Sequence, residues 1–286
     1  MSDAENVNTV VLAGGINRIT LFDGDAPSYK ALIPFAGRPC IQYVLDALKE
    51  VSEVGRVCLV GPVEELRRAV EEPDLYEYVP DGRTFGGSVF RGLEHFSDSE
   101  RILFVTADLP LLTSSPVAGF LDLCRRKKED GRQLFFSAVD RRHFTGPYQE
   151  APKRCSRFRD MTVCHGNLAL LHPGILEGKG PISRDRLDSI YRNRKKTLQT
   201  CWAFGWPFAL GYFLGGSILR LFTLDQVLRT ASNRFKVELV PVFLYDPEIA
   251  MDVDEPADYA FARHLIESRA EAEMNEKSRN SQRNLY

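Results

Sequence analysis

The sequence lacks a strong imbalance of charge. Its 286 residues include 37 Lys and Arg against 39 Asp and Glu, for a formal net charge of −2. Proteins that bind nucleic acid through its phosphate backbone usually carry a clear basic excess. We therefore expect no nucleic-acid partner. The apolar fraction of 44% is typical of a globular protein with a substantial core.

The sequence lacks any pair of cysteines with the Cys-x-x-Cys spacing. Cys155 and Cys164 are too far apart for a structural zinc site, whose ligands usually come in closely spaced pairs. We expect the six cysteines to be reduced and partly buried, as in cytosolic proteins.

A secretory signal is also missing from the first residues, MSDAENVN, which have neither a basic start nor an apolar core. A cytoplasmic location is the expectation. At the other end, residues 267–286 are charged and contain no large apolar residue before Leu285. We predict a fraying helix followed by disorder over this tail.

Short apolar runs rich in β-branched residues alternate with stretches of helical periodicity. The predicted strands cover residues 9–13, 56–61, 101–107, 134–139, 162–171 and 237–245. Strands that alternate with helices predict an α/β fold, with a largely parallel sheet covered on both faces. Ligands in such folds bind at the carboxyl ends of the strands.

The uncharged segment 197–219 does not fit this alternation. A buried helical insertion is one interpretation. Another is a peripheral membrane contact through residues 192–222, with aromatic side chains in lipid and basic residues on anionic headgroups. Its length also approaches that of a membrane span, although it contains a proline and several glycines. The basic residues before it are Arg192, Arg194, Lys195 and Lys196.

A glycine pair ends the first predicted strand. Gly14 and Gly15, here called the glycine turn, follow the run VVLA, and glycine allows a ligand to approach the backbone closely. Successive N–H groups in such a turn can bind an anion, and the later Lys30 adds a full positive charge. The stretch is neither a Walker loop nor a Gly-x-Gly-x-x-Gly motif. It indicates a polyphosphate site, although an ordinary turn can have the same composition.

Acidic residues at two later places suit a divalent cation. Asp108 directly follows a predicted strand in ILFVTADLPLLT, and Asp252 and Asp254 alternate in MDVDEPADY. Alternate residues of an extended chain point the same way, and Mg²⁺ prefers carboxylate oxygens. The alternatives are a turn residue at Asp108 and a helix N-cap at Asp254, just before Pro256.

The order of these pieces is more specific than any one of them. Leu-Ala-Gly-Gly, a lysine, Gly-x-Pro, Ala-Asp-Leu-Pro and Asp-x-Asp-x-Pro-x-Asp follow one another along the chain. In this order they resemble the nucleotidyltransferases of the NTP-transferase superfamily, which includes molybdenum-cofactor guanylyltransferases and sugar-phosphate nucleotidyltransferases. The resemblance covers residues 7–266. It implies a Rossmann-like three-layer α/β/α fold with a mostly parallel mixed sheet.

The resemblance also implies a domain organisation and roles for particular residues. Residues 1–266 would form one domain, with an NTP-binding half at 5–113 and an acceptor half at 114–266. Lys30 and Asp108 would be catalytic, and Asp108 would hold Mg²⁺ together with Asp254 or its neighbour Asp252. The residues that would contact the NTP are Leu12, Ala13, Gly14, Gly15, Arg18, Lys30, Gly82, Gly86, Gly87 and Ser88.

On the acceptor side, the resemblance places Gly166 and Asn167, in HGNLALLHP, beside the second substrate. Arg157 precedes them in PKRCSRFRD. Arginine suits bidentate binding of phosphate, although a solvated basic loop gives the same pattern. The other basic residues of this stretch are Lys153, Arg154 and Arg159.

The sequence departs from the family pattern after the glycine turn. The insertion ITLFDGDAPSY separates Arg18 from Lys30, whereas the family's lysine follows its glycine loop closely. Arg18 therefore stands apart from the family's arginine. The longer loop would act as a lid or alter how the nucleotide is handled.

The implied activity is Mg²⁺-dependent transfer of a nucleoside monophosphate from an NTP to a phosphorylated small molecule, with release of pyrophosphate. One alternative is a GT-A-like glycosyltransferase, but those enzymes usually hold the metal with Asp-x-Asp at the mid-chain strand end, where TADLP has one Asp. The other alternative is a non-catalytic nucleotide-binding module. The retention of Lys30, Asp108 and Asp254 together argues against it. The sequence leaves the base of the NTP and the oligomeric state open.

Overall fold

The computed structural model describes residues 6–17, 27–127, 131–175, 184, 188 and 218–283. The strands are β1 (Val7–Leu12), β2 (Pro34–Phe35), β3 (Arg38–Pro39), β4 (Val54–Gly61), β5 (Glu77–Pro80), β6 (Ile102–Thr106), β7 (Gln133–Asp140), β8 (Ser156–Arg157), β9 (Thr162–Leu171) and β10 (Glu238–Leu244). The α-helices are α1 (Cys40–Lys49), α2 (Val63–Ala69), α3 (Phe85–His95), α4 (Ser114–Arg125), α5 (Leu224–Phe235) and α6 (Pro256–Arg283).

An eight-stranded mixed sheet organises the described residues, and β2 and β3 form a separate two-stranded sheet. The strand order of the larger sheet is β10-β7-β9-β6-β1-β4-β5, with β8 beside β9. Strand β1 lies in the middle and runs parallel to both β4 and β6, so that Val10 is level with Cys58 and Phe104. Strand β9 runs antiparallel to β6 and β7, whereas β10 is parallel to β7. The mostly parallel mixed sheet implied by the family resemblance is thereby confirmed.

Both faces of this sheet are covered, because the central strands are apolar at consecutive positions. On β1, Val11 faces a core formed with α1, α4 and α6, while its neighbour Val10 faces a second core formed with α3 and α5. Strand β6 alternates in the same way, with Leu103 in the first core and Phe104 in the second. The result is three layers, helices on either side of the sheet, as expected.

The carboxyl ends of the parallel strands meet at one edge, here called the carboxyl edge. Backbone hydrogen bonds continue the ladder slightly past the strand ends: Ala107 N donates to Leu12 O at 3.1 Å and Ala13 N donates to Val60 O at 2.8 Å. The glycine turn after β1 and Asp108 after β6 therefore leave the sheet side by side. This is the edge on which the candidate site is built.

The charged tail is helical as far as the structure describes it. Helix α6 continues to Arg283, in agreement with the helix expected there, and the disorder expected to follow it stays a prediction. The stretch is rich in Ala, Glu, Lys and Arg, which have high helix propensity. An ion pair of 3.8 Å between Arg263 and Glu267, one turn apart, adds a small stabilisation. Burial of Leu265 and Ile266 anchors the preceding turns.

The state of two cysteines differs from the prediction. Cys155 and Cys164 form a disulfide, whereas reduced thiols were expected. Strand β8 pairs antiparallel with β9, and Ser156 lies opposite Val163. The two cysteines therefore face each other at the next position of the ladder, with their Cα atoms 4.3 Å apart. Nothing in the spacing of the two residues reveals this pairing, because β8 has only two residues.

Two expectations concern residues that the structure does not describe. Nearly all of the apolar segment 197–219 lies outside the described residues, as do the basic residues before it. In the part of the chain that is described, no helix is both long and apolar enough to cross a membrane.

Candidate active site

Lys30 lies beside the glycine turn even though an insertion separates them in sequence. The backbone N–H of Lys30 donates to Gly15 O at 2.8 Å, and Ile16 forms an antiparallel bridge with Tyr29. The loop between these bridge partners is closed at its base, so its length does not displace Lys30. Arg18 lies within that loop, outside the described residues.

Asp108 lies just after the end of a central strand of the sheet. Strand β6 ends at Thr106, and Asp108 lies two residues beyond it, on the carboxyl edge. Its Oδ2 atom is 3.5 Å from the Nζ atom of Lys30. The lysine and this carboxylate are therefore brought together by two adjacent strands, β1 and β6.

A backbone hydrogen bond brings the late acidic pair to the same place. Val253 N donates to Asp108 O at 3.0 Å, and the Val253 side chain is buried. Because alternate side chains of an extended chain point the same way, Asp252 and Asp254 flank this anchor. Oxygen atoms of all three carboxylates lie within 4.8 Å of one another. Asp108, Asp252 and Asp254 are here called the carboxylate cluster.

The cluster and Lys30 change each other's ionisation. Burial raises the pKa of Asp108 above its ordinary value, and the carboxylate of Asp252 raises it further, while Lys30 acts in the opposite direction. Burial alone would lower the pKa of Lys30, but the carboxylates of Asp108 and Asp254 outweigh it and the pKa is raised. Lys30 therefore stays positively charged and donates a hydrogen bond to Asp254 Oδ1.

The carboxylate cluster fits a divalent cation. Asp108 Oδ1 is buried and accepts no hydrogen bond from the described residues, and a buried carboxylate oxygen without a partner is costly. Three carboxylates so close together also repel one another. A hard cation such as Mg²⁺, which takes oxygen ligands, would satisfy the unpaired oxygen and relieve the repulsion.

Asp258, and not the Asp254 considered from the sequence, caps the start of helix α6. Asp258 Oδ2 accepts hydrogen bonds from the backbone N–H groups of Asp254 and Glu255, at 3.1 and 2.9 Å. The side chain of Asp254 is bonded to Lys30 instead. Asp254 is thus oriented toward the carboxylate cluster while Asp258 holds the start of the helix.

In the second predicted NTP-binding stretch, residues 82–88, the backbones of Gly82 and Gly87 lie very close together. A Cβ atom on Gly82 would lie 2.0 Å from the carbonyl carbon of Gly87, and one on Gly87 would lie 2.3 Å from Gly82 O. Gly82 N also donates to the buried Ser88 hydroxyl at 3.1 Å. These residues shape the loop that leads into α3, whose first turn is capped by Thr84. The nucleotide-contact role of Gly82, Gly87 and Ser88 stays a prediction.

One residue near the glycine turn was not singled out from the sequence. Asp81 follows the short strand β5, and a Cβ atom on Gly14 would lie 3.0 Å from the Asp81 Cβ atom. The two loops therefore touch, and Gly14 must lack a side chain for them to do so. Strand β5 escaped detection because it has four residues and ends in proline. A Pro-Asp-Gly turn is the signal that marks it.

The remaining predicted NTP contacts, Leu12 and Ala13, lie at the end of β1. Gly86, at the start of α3, is already in contact with a later part of the chain: its backbone N–H donates to Asp188 Oδ1 at 2.6 Å. No ligand is needed to explain why position 86 is glycine, because a Cβ atom there would lie 2.8 Å from that same oxygen.

On the acceptor side, the structure gives the predicted residues different surroundings. Asn167 Nδ2 lies 3.3 Å from Asp252 Oδ1, so this amide supports the carboxylate cluster. A Cβ atom on Gly166 would lie 2.1 Å from the Ser137 hydroxyl, so packing within the sheet explains that glycine. Arg157 is exposed on β8. Roles for Gly166, Asn167 and Arg157 in binding an acceptor stay predictions.

Comparison with known proteins identifies the family. Residues 9–172 match the MobA-like NTP transferase domain. The chain belongs to this family. The NTP-transferase superfamily expected from the motifs is thereby confirmed. The match includes Lys30 and Asp108 but ends before Asp252 and Asp254, so the late acidic pair is joined to the site by the geometry described above.

Curated relatives match only part of their own length. Bifunctional protein GlmU from Cupriavidus pinatubonensis is 29% identical over 118 residues, which are 41% of this chain and 25% of that protein. Bifunctional protein GlmU from Cupriavidus necator is 32% identical over 111 residues, 38% of this chain and 24% of that protein. The chain thus spans about a quarter of the length of these relatives.

Solved structures extend the likeness over most of the chain. A hypothetical transferase from Thermus thermophilus is 26% identical, with a TM-score of 0.69 over 88% of this chain and 99% of that one. A 4-diphosphocytidyl-2C-methyl-D-erythritol synthase from Anaerococcus prevotii is 14% identical, with a TM-score of 0.52 over 93% and 100%. At that identity, the second comparison shows a shared fold.

Proposed function

We propose that this protein is a Mg²⁺-dependent nucleotidyltransferase that moves a nucleoside monophosphate from an NTP to a phosphorylated small-molecule acceptor. The observation that carries the proposal is the position of the Lys30 ammonium group. It contacts the carboxylates of both Asp108 and Asp254, while the backbone N–H of the same residue donates to Gly15 O in the glycine turn. Membership of the MobA-like NTP transferase family supports the reaction class.

The triphosphate would bind over the carboxyl edge on the side of β1, β4 and β5. Backbone N–H groups of the glycine turn would donate to phosphate oxygens, and Lys30 would exchange its bond to Asp254 for one to the phosphates. The loop at Gly82 and the first turn of α3 would hold the nucleoside. This side corresponds to the NTP-binding half proposed for residues 5–113.

The acceptor would approach from the side of β7, β9 and β10, the half proposed for residues 114–266. An oxygen of its phosphate attacks the α-phosphorus of the NTP, a new P–O bond forms, and the bond between the α-phosphorus and the bridging oxygen breaks to release pyrophosphate. A phosphate dianion is already a nucleophile, so no side-chain base is required. Positioning and charge stabilisation supply the rate.

Asp108, Asp252 and Asp254 would hold the metal ion. When bound, Mg²⁺ supplies positive charge that offsets the repulsion between two anionic substrates and stabilises the charge that develops on the phosphates. The residues of this chain contribute in two ways. The carboxylates place that charge at the carboxyl edge, and Lys30 adds a second positive charge on the triphosphate side.

The test is turnover with defined products. The purified chain would be incubated with Mg²⁺, each of the four NTPs and a panel of sugar 1-phosphates and polyol phosphates, while pyrophosphate is measured. A thermal-shift screen of the NTPs with Mg²⁺ selects the base first, since a tight ligand raises the melting temperature by mass action. Pyrophosphate release that depends on both the NTP and an acceptor is the expected result.

Other outcomes separate the competing activities. Release of a free nucleoside diphosphate from a nucleotide sugar, with no pyrophosphate from an NTP, would replace the proposal with glycosyl transfer. Tight NTP binding without turnover on any acceptor would favour the non-catalytic binding module. The Asp108→Asn variant serves as the control for contaminating activity, because it removes a metal ligand from the centre of the site.

A further inference from the structure

A second lysine, Lys153, contacts the carboxylate cluster at a carboxylate other than the two that Lys30 contacts. Lys153 Nζ donates a hydrogen bond to Asp252 Oδ1 and lies 3.2 Å from the Asp252 backbone carbonyl oxygen. The Lys153 and Asp252 side chains are only 13% and 20% exposed. Ion pairs on an open surface contribute little, but this one is largely withdrawn from water and contacts a proposed metal ligand.

The two lysines enter from different halves of the sheet. Lys30 follows β1, whereas Lys153 lies in the connection between β7 and β9. Each ammonium group contacts a different part of the cluster, Lys30 at Asp108 and Asp254 and Lys153 at Asp252. The two ammonium groups therefore pair with the three carboxylates from different segments of the chain.

A disulfide restrains the backbone close to Lys153. Cys155, two residues further along the chain, is joined to Cys164 of β9. The same strand carries Asn167, whose amide also donates to the Asp252 carboxylate. Lys153 and Asn167 thus come from the two segments that the disulfide joins. The disulfide therefore limits how far the backbone that carries Lys153 can move away from the strand that carries Asn167.

We propose that Lys153 is a positioning residue that holds the Asp252 carboxylate and competes with the divalent cation for it. This inference rests on the proposed function, since it concerns the same metal site. An ammonium group and a metal ion attract the same oxygen and repel each other. Lys153 therefore restrains Asp252 from binding the ion fully, as Lys30 does at Asp254.

Metal binding without nucleotide tests the inference directly. Mn²⁺ is titrated into the full-length oxidised protein, and free Mn²⁺ is followed by electron paramagnetic resonance. Replacing Lys153 by glutamine is expected to tighten Mn²⁺ binding about threefold or more, because a competing positive charge is removed. Lys153→Arg, which keeps the charge, should bind Mn²⁺ like the wild type. The exposed Lys49, paired with Glu72, provides the control variant Lys49→Gln, which should also leave binding unchanged.

A double-variant cycle assigns the effect to Asp252. Asp252→Asn should weaken Mn²⁺ binding, and adding Lys153→Gln to it should have a clearly smaller effect than in the wild type, because only the direct repulsion between the ammonium group and the ion remains. The double change Cys155→Ser with Cys164→Ser should shift the affinity in the same direction as Lys153→Gln, because it frees the loop that carries the lysine. Weaker or unchanged Mn²⁺ binding in Lys153→Gln overturns the proposal, and so does an equal effect of Lys153→Gln in the Asp252→Asn background.

The two proposals fail in different measurements. If Lys153 had a purely structural role, replacing it would lower the melting temperature and weaken Mn²⁺ binding. The proposal expects the opposite change in Mn²⁺ affinity. Pyrophosphate release by the wild type is a separate readout. Turnover without the Mn²⁺ effect overturns the role of Lys153 alone, whereas the Mn²⁺ effect without turnover overturns the transfer reaction and leaves the role of Lys153 at the metal site standing.

Discussion

Lys30 donates a hydrogen bond to Asp254, although 224 positions separate the two residues in the sequence. The bond joins the loop after the first strand to the segment that precedes the last helix. It depends on the hydrogen bond between Val253 and Asp108, which places the late acidic pair at the carboxyl edge. The candidate site therefore requires both ends of the fold.

Replacing Asp108 by asparagine should abolish metal-dependent turnover while leaving the fold intact. The loss should be about a hundredfold or more, as for other single groups that stabilise transition-state charge. Without metal, the melting temperature should stay the same or rise, because a buried and repelled carboxylate is removed. Pyrophosphate release and thermal unfolding measure the two effects. Asp225→Asn, in an exposed pair with Arg229, should keep full activity, and full activity of Asp108→Asn would refute the site assignment.

Replacing Lys30 by methionine should destabilise the metal-free protein, and Mg²⁺ should restore part of the loss. The lysine is the cation that Asp108 and Asp254 face, and removing one partner of such a charged hydrogen bond costs roughly 2 kcal/mol. Unfolding in urea with and without millimolar Mg²⁺ measures this. The variant should gain more from Mg²⁺ than the wild type does. An equal gain would show that the metal and the lysine do not share the carboxylates.

Replacing Gly82 by alanine should distort the loop before α3. The added Cβ atom would meet the carbonyl carbon of Gly87 at 2.0 Å, and such overpacking typically costs about 1–3 kcal/mol. The thermal shift caused by an NTP should shrink in this variant. Gly119, inside α4, is the matched control because its added Cβ atom would have an ordinary contact of 3.6 Å with Leu244. Gly119→Ala should be neutral or slightly stabilising. An unchanged NTP shift in Gly82→Ala would place nucleotide binding elsewhere.

Stability should fall in acid partly through Asp140. Burial acts to raise the pKa of Asp140, but hydrogen bonds from the Arg142 guanidinium and backbone N–H outweigh it and lower the pKa. A lowered pKa means that the folded state favours the carboxylate. The stabilisation is therefore present above the pKa of the unfolded chain, about 3.9, and is lost as the pH falls through the folded pKa.

The Asp140→Asn variant checks this pH dependence. At neutral pH it should be less stable than the wild type by roughly 1–2 kcal/mol, and the difference should vanish as the pH falls through the lowered pKa of Asp140. Urea unfolding over this range measures the free energies. Asp122→Asn, which alters an exposed pair with Arg126, should change stability by a few tenths of a kcal/mol or less at every pH. A constant difference between wild type and Asp140→Asn would contradict the assignment.

The long strands were predictable because their signal is local. Strand β9 has the bounds 162–171 predicted from its apolar run, and β1, β4 and β6 differ from prediction by two residues or fewer at each end. Short elements were missed. Strand β8 has two residues and β5 has four, and runs of that length carry no periodicity that distinguishes a strand from a turn.

The sequence by itself determined the alternation of strands and helices, the glycine turn, and the order of lysine and acidic residues, because each depends on neighbours in the chain. Only the tertiary structure decided which of these groups meet. The pairing of Lys153 with Asp252, the disulfide between Cys155 and Cys164, and the support of Asp252 by Asn167 all depend on β9 running antiparallel between β6 and β7. Contacts between distant segments follow from strand order and direction, and a local pattern of residues does not encode these.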